Sequence, residues 1–366
     1  MKMCAALARR GHEVVLVAKA GSEKIRSDDH SFYGVEPRFD VHKVARPKVR
    51  GGAIVYSVGL ASCVAKYRNW ADIAYCRDPV GALVASYARI PVVFEAHEIP
   101  RSPLLQRLVR QVLRSSSSVG TVAISNALRD DLVRARLHHP QRPIVVAHDA
   151  SDPPPDRRIR ACRGTGAPVI GYVGSLYPGR GVETIIAVAD GMPRYKFRVV
   201  GGSQEDLERW RRRDVPHNVE LVGFVPPSQL PEIYGEFDIV VMPYASRGVT
   251  GPSGGSDTSK WASPMKMFEY MASGVPIITS DLPVLQEVLR DGHNALIVRA
   301  ESVEEWQAAI ERLIREPTLR TELANNALAD LMRAHTWDAR ARSVLNALNL
   351  EDERFGGRAG QLNGDA

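Results

Sequence analysis

Short apolar segments alternate with amphipathic segments along the second half of this chain. The alternation predicts strands at 169–173, 197–200, 219–222, 238–242 and 277–279, with helices between them. Strands that are separated by helices pair in parallel, because the helix carries the chain back across the sheet. We therefore predict that the second half folds as an α/β domain with a doubly wound parallel sheet.

The first half shows the same alternation more faintly, with predicted strands at 13–18, 73–75, 91–95, 119–123 and 144–147. A proline-rich, charged stretch at 151–158 then breaks the pattern, since neither a helix nor a strand tolerates it. We predict two Rossmann-like domains at 1–150 and 167–335, a linker at 151–166 and a disordered tail at 351–366. The cleft between two facing sheets is the expected ligand site.

Charge is distributed unevenly between the halves. Residues 1–165 hold 27 Lys and Arg against 15 Asp and Glu, whereas the remainder holds 21 against 27. A basic first half favours a phosphorylated substrate or an anionic membrane surface. Nucleic acid is not expected as a partner, because no helix-turn-helix, zinc-finger or RNP-like motif accompanies the charge.

Cysteine use and hydropathy indicate a cytoplasmic protein. The four cysteines are scattered, without a CxxC pair or metal-ligand spacing, so we predict neither a disulfide framework nor a metal site. The sequence contains no apolar run as long as a membrane span, and Arg9 and Arg10 interrupt the apolar start too early for a signal peptide.

The segment 263–276 predicts a short helix that favours an anion at its start. Ser263 suits the N-cap, Pro264 suits the first helical position, and Gly274 ends the helix. Lys266 would add a full positive charge to the free backbone N–H groups of the first turn. Glu269 lies on the same face and could accept hydrogen bonds from sugar hydroxyls. The alternative is a surface ion pair on an ordinary amphipathic helix.

The loop 174–181 follows the first strand of the second half. Its glycines, beginning with Gly174, permit close approach of a ligand to the backbone, and Arg180 can bind a phosphate through two hydrogen bonds. The alternative is a plain turn with a surface arginine. Because there is no GxGxxG after a strand, the sequence gives little support to a dinucleotide-dependent oxidoreductase.

Together, the segments 173–183, 238–243 and 263–276 resemble the retaining glycosyltransferases of family 4, also called glycosyl transferases group 1. The segment 94–98, which contains His97, and the segment 336–350 extend the resemblance over most of the chain. It implies the GT-B architecture of two Rossmann-like domains that face a cleft, with 336–350 crossing back onto the first domain. Members of the family begin with a strand and a Gly-rich loop that have no counterpart here, so the first strand of the N-terminal domain is expected to be missing.

The resemblance also implies roles for individual residues. Arg180 and Lys266 would hold the diphosphate of the donor, Glu269 its ribose, and His97 the sugar or the acceptor. The remaining positions of the donor site would be Gly174, Ser175 and Ser263. The family often carries a glutamate eight residues before the ribose carboxylate, where this chain has Trp261, so the contact with the sugar is left unassigned.

We therefore predict a metal-independent glycosyltransferase that moves a sugar from a nucleotide sugar to a lipid-linked, polysaccharide or other hydroxyl acceptor with retention of configuration. Two alternatives stay open: a catalytically degenerate protein that binds a nucleotide or a partner, and a sugar-nucleotide epimerase. Peripheral contact with an anionic membrane is also expected. The apolar stripe of segment 101–114, with its flanking arginines, is a candidate for that contact and equally for an ordinary core helix.

Overall fold

The computed structural model describes residues 1–20, 28–47, 49, 51–154, 166–249, 257 and 259–350. Most of the predicted linker and the whole predicted tail at 351–366 lie outside the described residues. The chain divides into two compact units. Unit 1 comprises Met1–His148 and the segment that begins at Trp337, and unit 2 comprises Asp149–Thr336.

The first part of the chain contains the following elements: α1 (Lys2–Arg9), β1 (Val15–Lys19), α2 (Asp29–Tyr33), β2 (Asp40–Val44), α3 (Gly52–Tyr67), β3 (Ala74–Cys76), α4 (Pro79–Tyr87), β4 (Val92–Ala96), α5 (Pro103–Arg114), β5 (Ser118–Ala123), α6 (Asn126–Arg134) and β6 (Ile144–Val146). The rest contains β7 (Val169–Val173), α7 (Val182–Asp190), β8 (Lys196–Val200), α8 (Gln204–Arg211), β9 (Val219–Gly223), α9 (Leu230–Tyr234), β10 (Ile239–Met242), α10 (Met265–Ser273), β11 (Ile277–Ser280), β12 (Leu296–Val298), α11 (Val303–Arg315), α12 (Pro317–Asp330) and α13 (Trp337–Ala347).

The sheet of unit 2 is parallel, with the strand order β9-β8-β7-β10-β11-β12. Successive residues of β10 alternate between two cores, since Ile239 and Val241 pack on one face while Val240 and Met242 pack on the other. A strand buried on both faces has to be apolar throughout, which explains its uninterrupted hydrophobic sequence. The chain reverses its winding direction between β7 and β10, so this sheet is doubly wound, as predicted.

Unit 1 contains parallel strands in two groups. The strands β3, β4, β5 and β6 form one sheet in that order, and β1 pairs with β2. Within the described part of unit 1, no strand bridges the two groups.

Helix α13 belongs to unit 1 although it follows all of unit 2 in sequence. Its apolar face packs on the four-stranded sheet, where Val344 and Leu345 join a core with Val93 and Val122. Leu348, just beyond the helix, extends the same core. The C-terminal segment is therefore part of the hydrophobic core of unit 1.

Helix α5 contains the apolar stripe that the sequence predicted to contact either a membrane or the protein core. Val109, Val112 and Leu113 are buried, which assigns this part of the helix to the core. Leu104 and Leu105 at its start are exposed. None of the helices in the described residues is long and apolar enough to cross a membrane.

Candidate functional site

Helix α10 begins at the carboxyl end of the unit 2 sheet. Pro264 is its N-cap and Met265 its first residue, and no side chain among the described residues caps the helix. The prediction that Ser263 is the N-cap is therefore wrong: the Ser263 hydroxyl instead accepts a hydrogen bond of 2.7 Å from the backbone N–H of Asp149. The predicted end is correct, since Gly274 adopts the left-handed conformation that closes many helices.

Lys266 extends from the first turn of α10 into an aromatic enclosure. Its Nζ lies 3.9 Å from the centroid of the Tyr172 ring and 5.0 Å from that of Tyr244. The ammonium is buried and has no hydrogen-bond partner among the described residues. Burial lowers its pKa well below the ordinary lysine value, and the nearby Arg180 lowers it further. The side chain is thus a donor that lacks an acceptor.

Gly174 lies directly beneath this ammonium, at the end of β7. Its φ of 154° is one that residues with a side chain rarely adopt, and a Cβ at this position would collide with the Nζ of Lys266. On the other side, Gly201 allows the loop after β8 to approach the Gly174 carbonyl. Glycine at Gly174 therefore leaves room for the end of the Lys266 side chain against the backbone.

Arg180 supplies the second cation of the site. Its Nη1 donates a hydrogen bond of 2.7 Å to the Tyr244 hydroxyl, and its guanidinium lies 5.0 Å from the Tyr244 ring centroid. The next residue, Gly181, has a φ of 92° and approaches the carbonyl of Pro243 so closely that a Cβ would not fit. This contact holds the loop 174–181 against the end of β10. Ser175 in the same loop is exposed, and its carbonyl accepts a hydrogen bond of 2.8 Å from the Tyr172 hydroxyl.

Glu269 lies one turn after Lys266 on α10. Its Oε2 accepts a hydrogen bond of 2.7 Å from the hydroxyl of Tyr234. Burial raises the pKa of Tyr234 far above its ordinary value, and the Glu269 charge raises it further, so this tyrosine stays protonated and continues to donate. A carboxylate can accept several hydrogen bonds, so Glu269 keeps capacity for a ligand hydroxyl.

The tyrosines are the residues that our sequence analysis missed. Tyr172 lies within β7, Tyr234 is the last residue of α9, and Tyr244 follows Pro243 after β10. Their distances in sequence from Lys266 give no sign that they share one site. The one available signal is the position of Tyr244, which lies two residues beyond a predicted strand whose carboxyl end faces the switch point.

His97 lies in unit 1, just after β4, and belongs to a different cluster. Its Nε2 lies 2.6 Å from Oε1 of the buried Glu95. Because an ionised carboxylate only accepts, Nε2 carries the hydrogen, and in the neutral ring Nδ1 is then the acceptor. Glu95 also accepts hydrogen bonds from the Tyr75 hydroxyl and, at 2.8 Å, from Arg340 Nη2. The sequence pointed to His97, but it gave no sign that Tyr75 and Arg340 would share Glu95 with it.

Glu95 stays ionised although it is buried. Burial alone would raise the pKa of its carboxyl, but the Arg340 charge and the hydrogen bonds from His97 and Tyr75 hold that pKa well below its usual range. Arg340 in turn donates to the backbone carbonyls of Ala147 and His148. The charge of each partner is therefore compensated within unit 1.

The site in unit 2 has the properties of an anion site. Two cations and the N-terminus of α10 meet where the sheet reverses its winding direction. Buried donors interact with a negative charge more strongly than exposed ones, because the local dielectric is low. The described residues contain no group of three His, Cys, Asp or Glu side chains that could hold a metal ion.

Two family models match the chain. Residues 1–153 match Glycosyltransferase Family 4, and residues 167–316 match Glycosyl transferases group 1. Among curated proteins, an uncharacterised glycosyltransferase of Methanocaldococcus jannaschii is 23% identical over 96% of this chain and 93% of its own length. The D-inositol 3-phosphate glycosyltransferase of Actinosynnema mirum is 23% identical over 96% of this chain and 90% of its own length.

Solved structures of glycosyltransferases share the fold. The HepE protein of Anabaena in complex with UDP superposes with a TM-score of 0.67 at 16% identity, over 92% of this chain and 100% of its own. Sucrose-phosphate synthase from Thermosynechococcus elongatus gives a TM-score of 0.70 at 16% identity, over 95% of this chain and 91% of its own. At these identities the likeness establishes the architecture of the chain.

Proposed function

The chain belongs to the family 4, or group 1, glycosyltransferases with the GT-B fold, and from this premise we propose that it moves a sugar from a nucleotide-sugar donor to a hydroxyl acceptor with retention of configuration. That the protein is a glycosyltransferase follows from its family. The donor, the stereochemistry and the acceptor are the content of the proposal.

One observation carries the proposal of a nucleotide-sugar donor. The Nζ of Lys266 is buried without a hydrogen-bond partner in the described residues, and it packs closely against Gly174. A buried cation without an acceptor is costly, so such an arrangement is expected where a bound anion supplies the acceptor. The solved HepE structures with UDP and UDP-glucose support a nucleotide diphosphate as this anion.

In this proposal, Lys266 and Arg180 bind the two phosphates and Glu269 binds the ribose hydroxyls. The predicted donor contacts at Gly174, Ser175 and Ser263 complete the site. Negative charge grows on the diphosphate as the bond to the sugar breaks, and the fixed cations and the start of α10 stabilise that charge. The cations can serve without a metal ion, so we propose that the chemistry needs none.

His97 is the proposed catalytic residue of unit 1. With its Nε2 hydrogen directed to Glu95, the Nδ1 atom is available as a hydrogen-bond acceptor for a sugar or acceptor hydroxyl. The basic first half favours an acceptor with negative charge, and we propose a lipid-linked or saccharide intermediate of that kind. The inositol phosphate acceptor named for one relative agrees with an anionic acceptor.

The decisive experiment screens nucleotides and nucleotide sugars by isothermal titration calorimetry and then follows the best donor by NMR, with and without acceptors. Transfer with the anomeric configuration of the donor is the expected result. Binding without turnover on any acceptor would favour the catalytically degenerate protein. Conversion of the donor alone into an epimeric sugar nucleotide would favour the epimerase.

A first prediction concerns Glu269. Replacing it with glutamine keeps the shape but removes the charge, and hydrogen bonds to a charged acceptor contribute about 1.5–3 kcal/mol. We expect Glu269→Gln to weaken nucleotide binding by roughly 10- to 100-fold, with a small change in the unfolding temperature. Tyr234→Phe, which removes only the hydrogen bond to Glu269, is the matched control. Equal nucleotide affinity in Glu269→Gln and wild type would contradict the ribose contact.

A second prediction concerns Gly174. In Gly174→Ala the new methyl group meets the flexible end of Lys266, so the ammonium has to move while the fold persists. We expect nucleotide affinity to fall about tenfold or more, since a charge-assisted contact is displaced. Gly292→Ala is the control, because Gly292 also has positive φ (64°) but open space around its Cβ position. Loss of affinity in both variants alike would point to general strain.

A further inference from the structure

Helix α3 of unit 1 has an exposed face that is apolar. The side chains of Ile54 and Val58 are 69% and 64% exposed, and Val55 beside them is 48% exposed. Ala61 and Ala65 continue the same stripe at helical spacing and are exposed as well. An ordinary surface helix carries polar side chains on this face, so the sequence of α3 needs another explanation.

The opposite face of α3 packs against the rest of unit 1. Tyr56 and Leu60 are buried there against Val44. Gly59 lies so close to Val44 that a Cβ would collide with its side chain. The helix is therefore fixed to unit 1 by one apolar face, and its second apolar face is left to solvent.

The segment of sequence that contains α3 is basic, although the carboxylates of Asp78 and Glu13, from outside this segment, accept hydrogen bonds from Tyr56 and Trp70. Between Asp40 and Asp72 the sequence has six Lys and Arg and no Asp or Glu. Arg46 before the helix is exposed, as are Lys66 in its last turn and Arg68 at its C-cap. By helical geometry, Arg68 falls on the same side as Ile54 and Val58. The apolar side chains are thus followed by cations at the C-terminal end of the helix, whereas the guanidinium of Arg46 lies 5.6 Å from the ring centroid of Tyr56 on the opposite face.

We propose that α3 docks unit 1 onto an anionic lipid surface. Ile54 and Val58 enter the boundary between headgroups and acyl chains, and Lys66 and Arg68 contact lipid phosphates. An apolar stripe with basic side chains beside it is the pattern that favours a helix lying in the membrane interface. The glycosyltransferase activity is not a premise of this inference, which depends only on the exposure and charge of α3.

A second copy of this chain fits the same face poorly. A two-fold symmetric dimer places a surface patch against itself, so two copies of the basic segment that contains α3 would meet without an acidic counterpart from this segment. An anionic membrane supplies the missing negative charge. The exposed start of α5, at Leu104 and Leu105, is the competing membrane contact and provides a control.

The test is co-sedimentation of the full chain with vesicles of phosphatidylcholine, alone or mixed with phosphatidylglycerol. We expect binding to the anionic vesicles only, weakened by salt. Replacing both Ile54 and Val58 with serine should lower the partition coefficient at least tenfold, and Lys66→Glu should lower it about fivefold or more. The double variant Leu104→Ser, Leu105→Ser should bind like wild type.

Two further measurements keep the outcome clear. The Ile54 and Val58 variant should keep the unfolding temperature and nucleotide affinity of wild type, because both side chains are exposed and lie in unit 1. Absence of binding to anionic vesicles, loss of binding only in the Leu104 and Leu105 variant, or a wild-type dimer that becomes monomeric in the Ile54 and Val58 variant would each overturn the proposal. A failed donor screen would leave it intact.

Discussion

Lys266→Met is expected to lower turnover by roughly 10²- to 10³-fold, the cost typical of removing one donor that stabilises charge in the transition state. The same variant is expected to raise the free energy of unfolding in the absence of ligand. A buried polar group without a partner costs about 1–3 kcal/mol, which exceeds or offsets the roughly 0.5–2 kcal/mol of a cation–π contact with Tyr172. Methionine fills the same space and packs well against aromatic rings.

The two effects have opposite signs, and that makes the prediction specific. A net gain of about 1 kcal/mol would appear as a rise of roughly 2–4 °C in the unfolding temperature of a unit of this size. Turnover and thermal unfolding should be measured in one buffer for Lys266→Met and for Lys196→Met. Lys196 is exposed at the start of β8, so its replacement should change neither quantity. A Lys266→Met protein that is both active and less stable would remove the physical basis of the donor site.

Arg340→Met is expected to give the largest loss of stability. Removal of one partner from a buried ion pair leaves an uncompensated charge and costs about 3–5 kcal/mol, here the charge of Glu95, whose Oε2 lies 2.8 Å from Arg340 Nη2. Combining Arg340→Met with Glu95→Gln should recover part of this loss, because no buried charge is then left unpaired. Thermal or denaturant unfolding measures the stability of wild type, of Arg340→Met and of the double variant.

Helix α13 provides the matched control for this prediction. Asp338 pairs with Arg9 at 3.0 Å, but both side chains are substantially exposed. Exposed pairs contribute about 0–1 kcal/mol, so Asp338→Asn should change stability little. If Arg340→Met and Asp338→Asn cost the same, Arg340 would be only a surface arginine of the returning helix.

The Glu95 cluster also predicts a dependence of stability on pH. A carboxyl whose folded pKa is depressed stabilises the fold above its unfolded pKa of about 4.3, and the contribution is lost as the pH falls toward the folded value. Wild type should therefore lose stability below about pH 4.5 through this group, at up to about 1.4 kcal/mol per pH unit. Glu95→Gln lacks this component, so the stability difference between the two proteins should narrow as the solution becomes more acidic.

The order of strands and helices in unit 2 could be predicted from the sequence because it depends on local patterns. Apolar segments of strand length that alternate with amphipathic helices usually form a parallel sheet with helices on its faces. The predicted strands at 169–173, 197–200 and 238–242 correspond to β7, β8 and β10. The end of α10 at Gly274 was predictable for the same reason, since the αL conformation there depends on one residue. The start was not, because Pro264 and not Ser263 takes the cap position.

Local sequence thus determined the winding of the sheet in unit 2, the end of α10 and the candidate cations Lys266 and Arg180. The tertiary structure decided what surrounds them. The tyrosines that enclose Lys266 come from separate strand ends, and Arg340 reaches Glu95 across 245 positions of sequence. It also decided that the Ser263 hydroxyl accepts from Asp149, 114 positions away. Propensities and caps act over a few residues, whereas burial and pairing of charge depend on which distant segments the fold brings into contact.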